Sequence, residues 1–338
     1  MGKVTKIKVL GNRSEVGLPP FEYKPGWIFD NDPSCIDYDW LLVYDELPSS
    51  ARGTYNGAYE PLSCPRERTI LATWEPVSIK SYSKSYTRQF GHLLSNRPPE
   101  AEAHPHYHLG RGYFYWFNGR KVPAAAALPV PEKTKEISAV CSSKAMRHTR
   151  HNDRLELMKL IASEIPGFDW FGRGVRAFGK KYEVMDPYRY HVAVENHIGV
   201  HHWTEKLADA FLCECLPFYA GDPAITECFP RESLIPIPLD DAHEAVHIIR
   251  EAIANDEYAK RREAVLEAKR RVLETYNFWA QTIALIESEE NQAVTPPDPV
   301  HPVRLYSRRA LRLRRPVALW EDLTSHLKRG LWTKSISS

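Results

Sequence analysis

Apolar and polar positions change rhythm about a third of the way along the chain. In the first part, short apolar runs stand between long loops: VTKIKVL (4–10), WLLVY (40–44), TILATW (69–74) and HLLS (92–95) predict strands, and YSKSYTRQF (82–90) predicts a short helix. Residues 97–119, rich in Pro, His and aromatics, predict irregular loop. VPAAAALPVPEKTKE (122–136), with three prolines and few large apolar residues, predicts a linker. Beyond it, ISAVC (137–141), FDWFG (168–172), YHVAV (190–194), LPFYA (216–220) and LIPIPL (234–239) predict strands. Helices are predicted over RLELMKLIASEI (154–165), TEKLADAFLCE (204–214) and DDAHEAVHIIREAIA (240–254). In the first of these, Leu155, Met158, Leu160 and Ile161 fall near helical spacing. Tyr258 to Ile286 is one long helical pattern, laced by the i,i+4 pairs Glu257–Arg261 and Glu267–Arg271. Strands alternating with helices predict an α/β protein with parallel sheets, and no internal repeat is present.

Composition narrows the class. The 338 residues are 43% hydrophobic and 26% charged, which is globular rather than disordered and suits two domains better than one. A net charge of +2 argues against a nucleic-acid coat. That total hides an asymmetry: residues 301–338 carry +7 and residues 1–300 carry −5. Leucines and tryptophans interleave with the basic tail, which suits either an anionic membrane surface or a helix packed back on the first domain. No apolar run approaches 18 residues, and MGKVTKIKVLGNRSE lacks the core of a signal peptide. The expectation is a cytoplasmic protein, peripheral at the inner membrane surface, with six reduced cysteines. Cys213 and Cys215 read as buried thiols, because no second Cys/His pair has zinc spacing.

Polar residues stand directly after several of the strands: Glu75, Arg173, Glu195 and Asn196. In an open parallel sheet that is where side chains meet a ligand, although a carboxylate there is more often a loop or cap residue. The sharpest constellation is VENHIGVHHWTEKLADAF (194–211). Thr204 is a helix cap with Glu205 and Lys206 in the first turn. A helix N-terminus binds anions, and a bound phosphate would explain a lysine where the dipole disfavours one. The alternative is a helix start with Lys206 in solvent. HPHYH (104–108) and His201–His202 could suggest a metal. Neither provides a carboxylate-completed ligand set at recognised spacing, so none is expected. Lys144, His148 and Arg150 form a basic loop that could hold phosphate or simply be solvated.

YRYHVAVENHIGVHHWTEKLADAFLCECLPFYAG (188–221) resembles the signature of family 10 glycosyltransferases, the α-1,3/1,4-fucosyltransferases, of bacterial type. It keeps Tyr188, Glu195, Asn196, Thr204, Glu205, Lys206, Pro217, Tyr219 and Gly221. It departs with Val194 for Phe, His197 for Ser, and His202–Trp203 for Tyr-Val. DRLELMKLI with FGRG resembles the family's donor-domain entrance, and ATWEPVSIKSYSKSYTRQFGHLLS (72–95) its acceptor-domain segment.

The resemblance implies a GT-B architecture: two Rossmann-like domains facing across a cleft, here 1–130 for the acceptor and 131–290 for the donor, followed by a basic helical tail, 291–338. It implies inverting, metal-independent transfer of a sugar, fucose above all, from a GDP-sugar to a glycan hydroxyl. Glu75 would be the general base, and Arg154, Lys206 and the helix N-terminus at Thr204 would hold the diphosphate. Glu205 would contact the ribose, and Glu195 would face the sugar ring. Asn196 and Arg173 would brace loops, Tyr219 would pack or touch the nucleotide, and His202 would contact the donor sugar. A lipopolysaccharide or surface polysaccharide is the expected acceptor, with no nucleic-acid partner. The departures keep open a different nucleotide-sugar donor, or a non-catalytic glycan- or nucleotide-binding protein.

Overall fold

The computed structural model describes residues 3–11, 20–77, 79–111, 117–120, 127, 129–142, 151–291 and 303–324. The chain divides into two compact units, Met1–Gly110 with Thr282–Ser338, and Arg111–Gln281. The basic loop with Lys144, His148 and Arg150 lies outside the described residues.

The first unit is built from β1 (Thr5–Gly11), β2 (Phe21–Lys24), β3 (Trp27–Asp30), β4 (Trp40–Tyr44), a hairpin of β5 (Ala51–Arg52) and β6 (Tyr55–Asn56), β7 (Tyr59–Pro61), β8 (Thr69–Thr73), helix α1 (Lys84–Thr87), β9 (His92–Ser95) and β10 (Tyr107–Leu109). Its main sheet runs β10-β9-β8-β4-β1-β3-β2, parallel except for edge strand β2. WLLVY, TILAT and HLLS are buried at every position, the mark of strands covered on both faces. Strand β10 lies inside the stretch expected to be loop. Its three partly exposed residues at the sheet edge are too short and too polar to leave a periodic signal.

The second unit contains β11 (Lys135–Val140), α2 (His151–Glu164), β12 (Phe168–Phe171), β13 (Tyr188–Val194), α3 (Glu205–Leu212), β14 (Leu216–Ala220), β15 (Ile235–Pro236), α4 (Ala242–Ala254) and α5 (Glu257–Glu274). Its all-parallel sheet has the order β12-β11-β13-β14-β15. Of the expected strand over 234–239 only Ile235–Pro236 pairs, because Pro236 and Pro238 have no N–H to extend the ladder. On α2 the buried face is Arg154, Leu157, Met158 and Ile161, whereas Leu155 and Leu160 are only half-buried. The stripe expected from sequence is therefore rotated, with an arginine on it one turn ahead of the apolar residues. The turn after β12 requires Gly172: its φ is 145°, and a Cβ there would stand 2.3 Å from the Cys141 carbonyl oxygen.

The long helical pattern is two helices. After α5 the chain breaks at Thr275–Asn277, and α6 (Phe278–Glu290) begins where the Asn277 carboxamide accepts the N–H groups of Trp279 (3.1 Å) and Ala280 (3.0 Å). The described part of the tail is built into the first unit. β16 (Arg304–Tyr306) pairs antiparallel with β7, and α7 (Arg308–Arg314) is capped by the Ser307 hydroxyl. Leu305, Leu311 and Ala318 join the core around Tyr55, Tyr86 and Phe90. Part of the basic charge is compensated locally: Arg308 meets Asp322 at 3.3 Å and Glu46 at 3.4 Å, and Arg312 pairs with Asp322. Leu313, Val317, Trp320 and Leu323 remain exposed. Among the described residues no helix is long and apolar enough to cross a membrane.

Candidate functional site

In the second unit, strand order reverses between β11 and β13, each of which is followed by a helix. The crevice outside the carboxyl ends of two such strands is where open α/β sheets bind ligands. Cys141 stands at the end of β11. Glu195 and Asn196 follow β13, Arg154 comes from the first turn of α2, and Thr204, Glu205 and Lys206 open α3. The fold thus brings together Arg154, Glu195, Asn196, Thr204, Glu205 and Lys206, and adds Lys181, which sequence reasoning did not single out.

Glu195 is fully buried, and its carboxylate is engaged by the start of α3. It accepts the Thr204 N–H at 2.8 Å, the Thr204 hydroxyl at 2.7–2.9 Å and the Lys206 ammonium at 3.2 Å. Lys206 also lies 3.4 Å from Glu205. Two carboxylates therefore compensate the lysine that the helix dipole disfavours. Burial pulls the Lys206 pKa down, but Glu195 and Glu205 pull harder, and it ends above its usual value. For Glu205, burial favours the neutral acid. Lys206 and Lys181 more than offset it and hold the carboxyl at about 2, so the group is ionised at neutral pH. Lys181 reaches the buried Asp209 at 2.6 Å.

Arg154 is different. Its guanidinium donates to the Asn196 amide oxygen, a neutral partner, and its Nε is buried with no hydrogen-bond partner among the described residues. It lies close enough to Lys206 for the two positive charges to act against one another. A buried guanidinium held by an amide, beside a second cation and a helix N-terminus, is a place for an oxyanion.

The other expected residues are more dispersed in role. The Tyr219 hydroxyl accepts the Asp222 N–H at 3.0 Å and packs over Gly221, where any Cβ would strike it. Trp203, one of the departures from the family pattern, is buried against Phe229 and Tyr276 as core. His202 stacks edge-on with His197 at 5.2 Å, half-buried near the start of α3. Arg173 is exposed in the turn after β12. Cys213 and Cys215 are buried free thiols, as their surroundings predicted.

Glu75 belongs to the first unit, half-buried after β8. Its carbonyl oxygen accepts Arg97 Nε at 2.6 Å. The same end of that sheet carries two more acids that sequence reasoning missed. Asp45, after β4, is paired with Lys80 and Tyr82. Glu102 is buried on Arg97 and accepts the Thr73 and Ser95 hydroxyls at 2.8 Å each. Asp45 stands directly after WLLVY, as Glu75 does after TILATW, so the same signal marks it, whereas Glu102 follows no predicted strand.

No known family profile matches the chain. No curated protein matches it either. Among solved structures, an α1,3-fucosyltransferase with GDP-fucose is 14% identical, with a TM-score of 0.46 over 82% of this chain and 93% of that one. A sucrose-phosphate synthase from Thermosynechococcus elongatus is 10% identical, with a TM-score of 0.41 over 85% and 88%. A glycosyltransferase from Rickettsia africae is 10% identical, with a TM-score of 0.42 over 86% and 99%. Likeness at this level says nothing about substrate.

Proposed function

We propose that this chain is a glycosyltransferase of GT-B type that moves a sugar, with inversion, from a nucleoside-diphosphate donor to a glycan hydroxyl. The observation that carries the reading is Arg154, a buried cation with a neutral partner, beside Lys206 and the N-terminus of α3, at the switch point of the second unit's sheet. A departing diphosphate needs positive charge already in place, and Arg154 is the group that supplies it; Lys206, compensated by Glu195 and Glu205, adds less. Glu205, ionised at the same helix start, suits a ribose hydroxyl. Glu195 is a positioning residue in this reading, because its carboxylate holds Thr204 and Lys206. Glu75 in the first unit is the general base that takes the acceptor proton.

The resemblance to fucosyltransferases makes GDP-fucose the first donor to test and a surface polysaccharide or lipopolysaccharide the first acceptor. The His197–His202 contact, where the family has Ser and Tyr, keeps a different nucleotide-sugar donor as the second reading. The exposed Leu313, Val317, Trp320 and Leu323 beside tail arginines keep an anionic membrane surface as a proposed partner of the same enzyme.

Titration with GDP, UDP and their sugars tests the donor. Saturable GDP binding is expected, and its absence at millimolar concentration overturns the reading. Glu75→Gln should abolish transfer while leaving GDP affinity within about twofold. Transfer that survives puts the base elsewhere. Arg154→Ala should weaken GDP binding by about 1.5–3 kcal/mol, the range for a hydrogen bond to a charged group.

A further inference from the structure

The first unit brings together two histidines and a carboxylate far apart in sequence. His92 opens β9, His108 lies on the neighbouring strand β10, and Glu289 is near the end of α6. One ligand atom from each lies within 4.8 Å of the others. His92 Nδ1 is 3.2 Å from His108 Nε2, and His108 Nε2 is 3.7 Å from a Glu289 carboxylate oxygen. Two ligands of one tetrahedral ion, each bound at ~2.0–2.1 Å, stand about 3.3 Å apart, so these separations are close to what an ion requires.

A second observation concerns the outer shell. His92 Nε2 lies 2.9 Å from the Glu67 carbonyl oxygen. A carbonyl can only accept, so Nε2 carries the proton and Nδ1 presents its lone pair toward His108 and Glu289. A ligating histidine whose other nitrogen donates to a backbone carbonyl is the usual arrangement around a protein-bound ion. His92 is buried, and His92 and Glu289 form part of the wall of a cavity of about 610 Å³ whose other lining residues include Lys3, Arg66 and His106. A fourth position facing that cavity would take water or a small anion.

We propose that His92, His108 and Glu289 form a binding site for one divalent transition ion of the zinc class. Two imidazoles and one carboxylate select such an ion over magnesium or calcium, which prefer all-oxygen shells. The HPHYH run supplies only one of the three ligands. The carboxylate missing from its neighbourhood in sequence arrives through α6. The ion would tie that helix to the edge of the sheet. It stands apart from the proposed transfer chemistry. His92 is level with Ile70 at the start of β8, whereas Glu75 lies five residues further on, about 16 Å at ~3.3 Å per residue.

The full-length protein, stripped with a chelator, is titrated with Zn²⁺ alone by calorimetry and with Co²⁺ by visible absorption. One equivalent per chain is expected, with a cobalt spectrum of nitrogen and oxygen ligands and no thiolate charge-transfer band. His108→Gln and Glu289→Gln, both at partly exposed positions, should each weaken zinc at least tenfold. Zinc should raise the melting temperature of the wild type and of neither variant. Absence of one-equivalent binding, undiminished affinity in both variants, or a thiolate band that puts the ion on cysteine would each overturn the proposal. The cobalt spectrum is read on the wild type, so it decides the matter even if a variant misfolds.

Discussion

Glu195→Gln separates a carboxylate that holds the site together from one that faces a reacting sugar. The substitution keeps the shape and removes the charge. In the native protein Glu195 is fully buried and receives the Thr204 N–H, the Thr204 hydroxyl and the Lys206 ammonium. A glutamine oxygen can still accept from Thr204, but a charge-assisted bond becomes a neutral one of roughly half the strength. Hydrogen bonds to charged groups contribute about 1.5–3 kcal/mol and neutral ones about 0.5–1.5. Breaking a fully buried ion pair costs about 3–5 kcal/mol. Lys206 keeps Glu205 at 3.4 Å and a fifth of its side-chain surface in water, so the ion-pair loss falls below that range. The expected destabilisation is about 2–4 kcal/mol, read by urea unfolding. Lys206→Met in the same background should recover part of it, because the stranded ammonium is gone, and the double-mutant cycle should show about 1–2 kcal/mol of coupling. A glutamine variant within about 0.5 kcal/mol of wild type, or a cycle with no coupling, refutes the assignment. A carboxylate facing only a sugar would lower turnover and leave the unfolding curve where it was.

Two further predictions rest on buried groups. Burial, reinforced by Lys181 and Lys133, lowers the His191 pKa to about 3 from 6.5, so the folded protein keeps the ring neutral while the unfolded chain protonates it. The unfolded state therefore binds more protons between those values. Stability contributed by His191 is complete above pH 6.5 and is lost as pH falls toward 3, by up to about 1.4 kcal/mol per pH unit. His191→Gln should flatten the pH dependence of urea unfolding in that window, and an unchanged slope counts against it. Leu305→Ala should cost about 2–4 kcal/mol, because Leu305 on β16 is core of the first unit. A change in the unfolding midpoint worth less than about 0.5 kcal/mol would mean β16 is not docked on β7.

Local chemistry was legible without the fold. WLLVY, HLLS and LPFYA could be read as strands to the residue, since a run of large apolar side chains between polar turns has few other ways to be buried. The cap at Thr204 and the pairs Glu257–Arg261 and Glu267–Arg271 follow from spacing within one turn. Strands β2 and β10 at the sheet edges, and β3 next to β2, are short and only partly buried, and left no such mark. Neither did the break between α5 and α6, where the helical pattern continues through a cap.

What a charged side chain does was decided by tertiary structure. Sequence places Glu195 after a strand, where a ligand would be. Only the return of the chain through α3 engages its carboxylate with Thr204 and Lys206. Arg154 reads from sequence as the first residue of a helix, and only the packing of α2 buries it beside Asn196, with one nitrogen unpaired among the described residues. The histidine run at 104–108 lacks a carboxylate at any recognised spacing until α6 brings Glu289 to His92 and His108. The basic tail could have gone to a membrane or to the body. Its described part goes to the body because Leu305 and Leu311 find a core there, while Trp320 does not. Spacing along a chain reports what lies within one or two turns of helix. The electrostatics of a site depend on charges within a few ångströms, and those came from other elements, from 9 residues along the chain for Glu195 and Thr204 to 42 for Arg154 and Asn196.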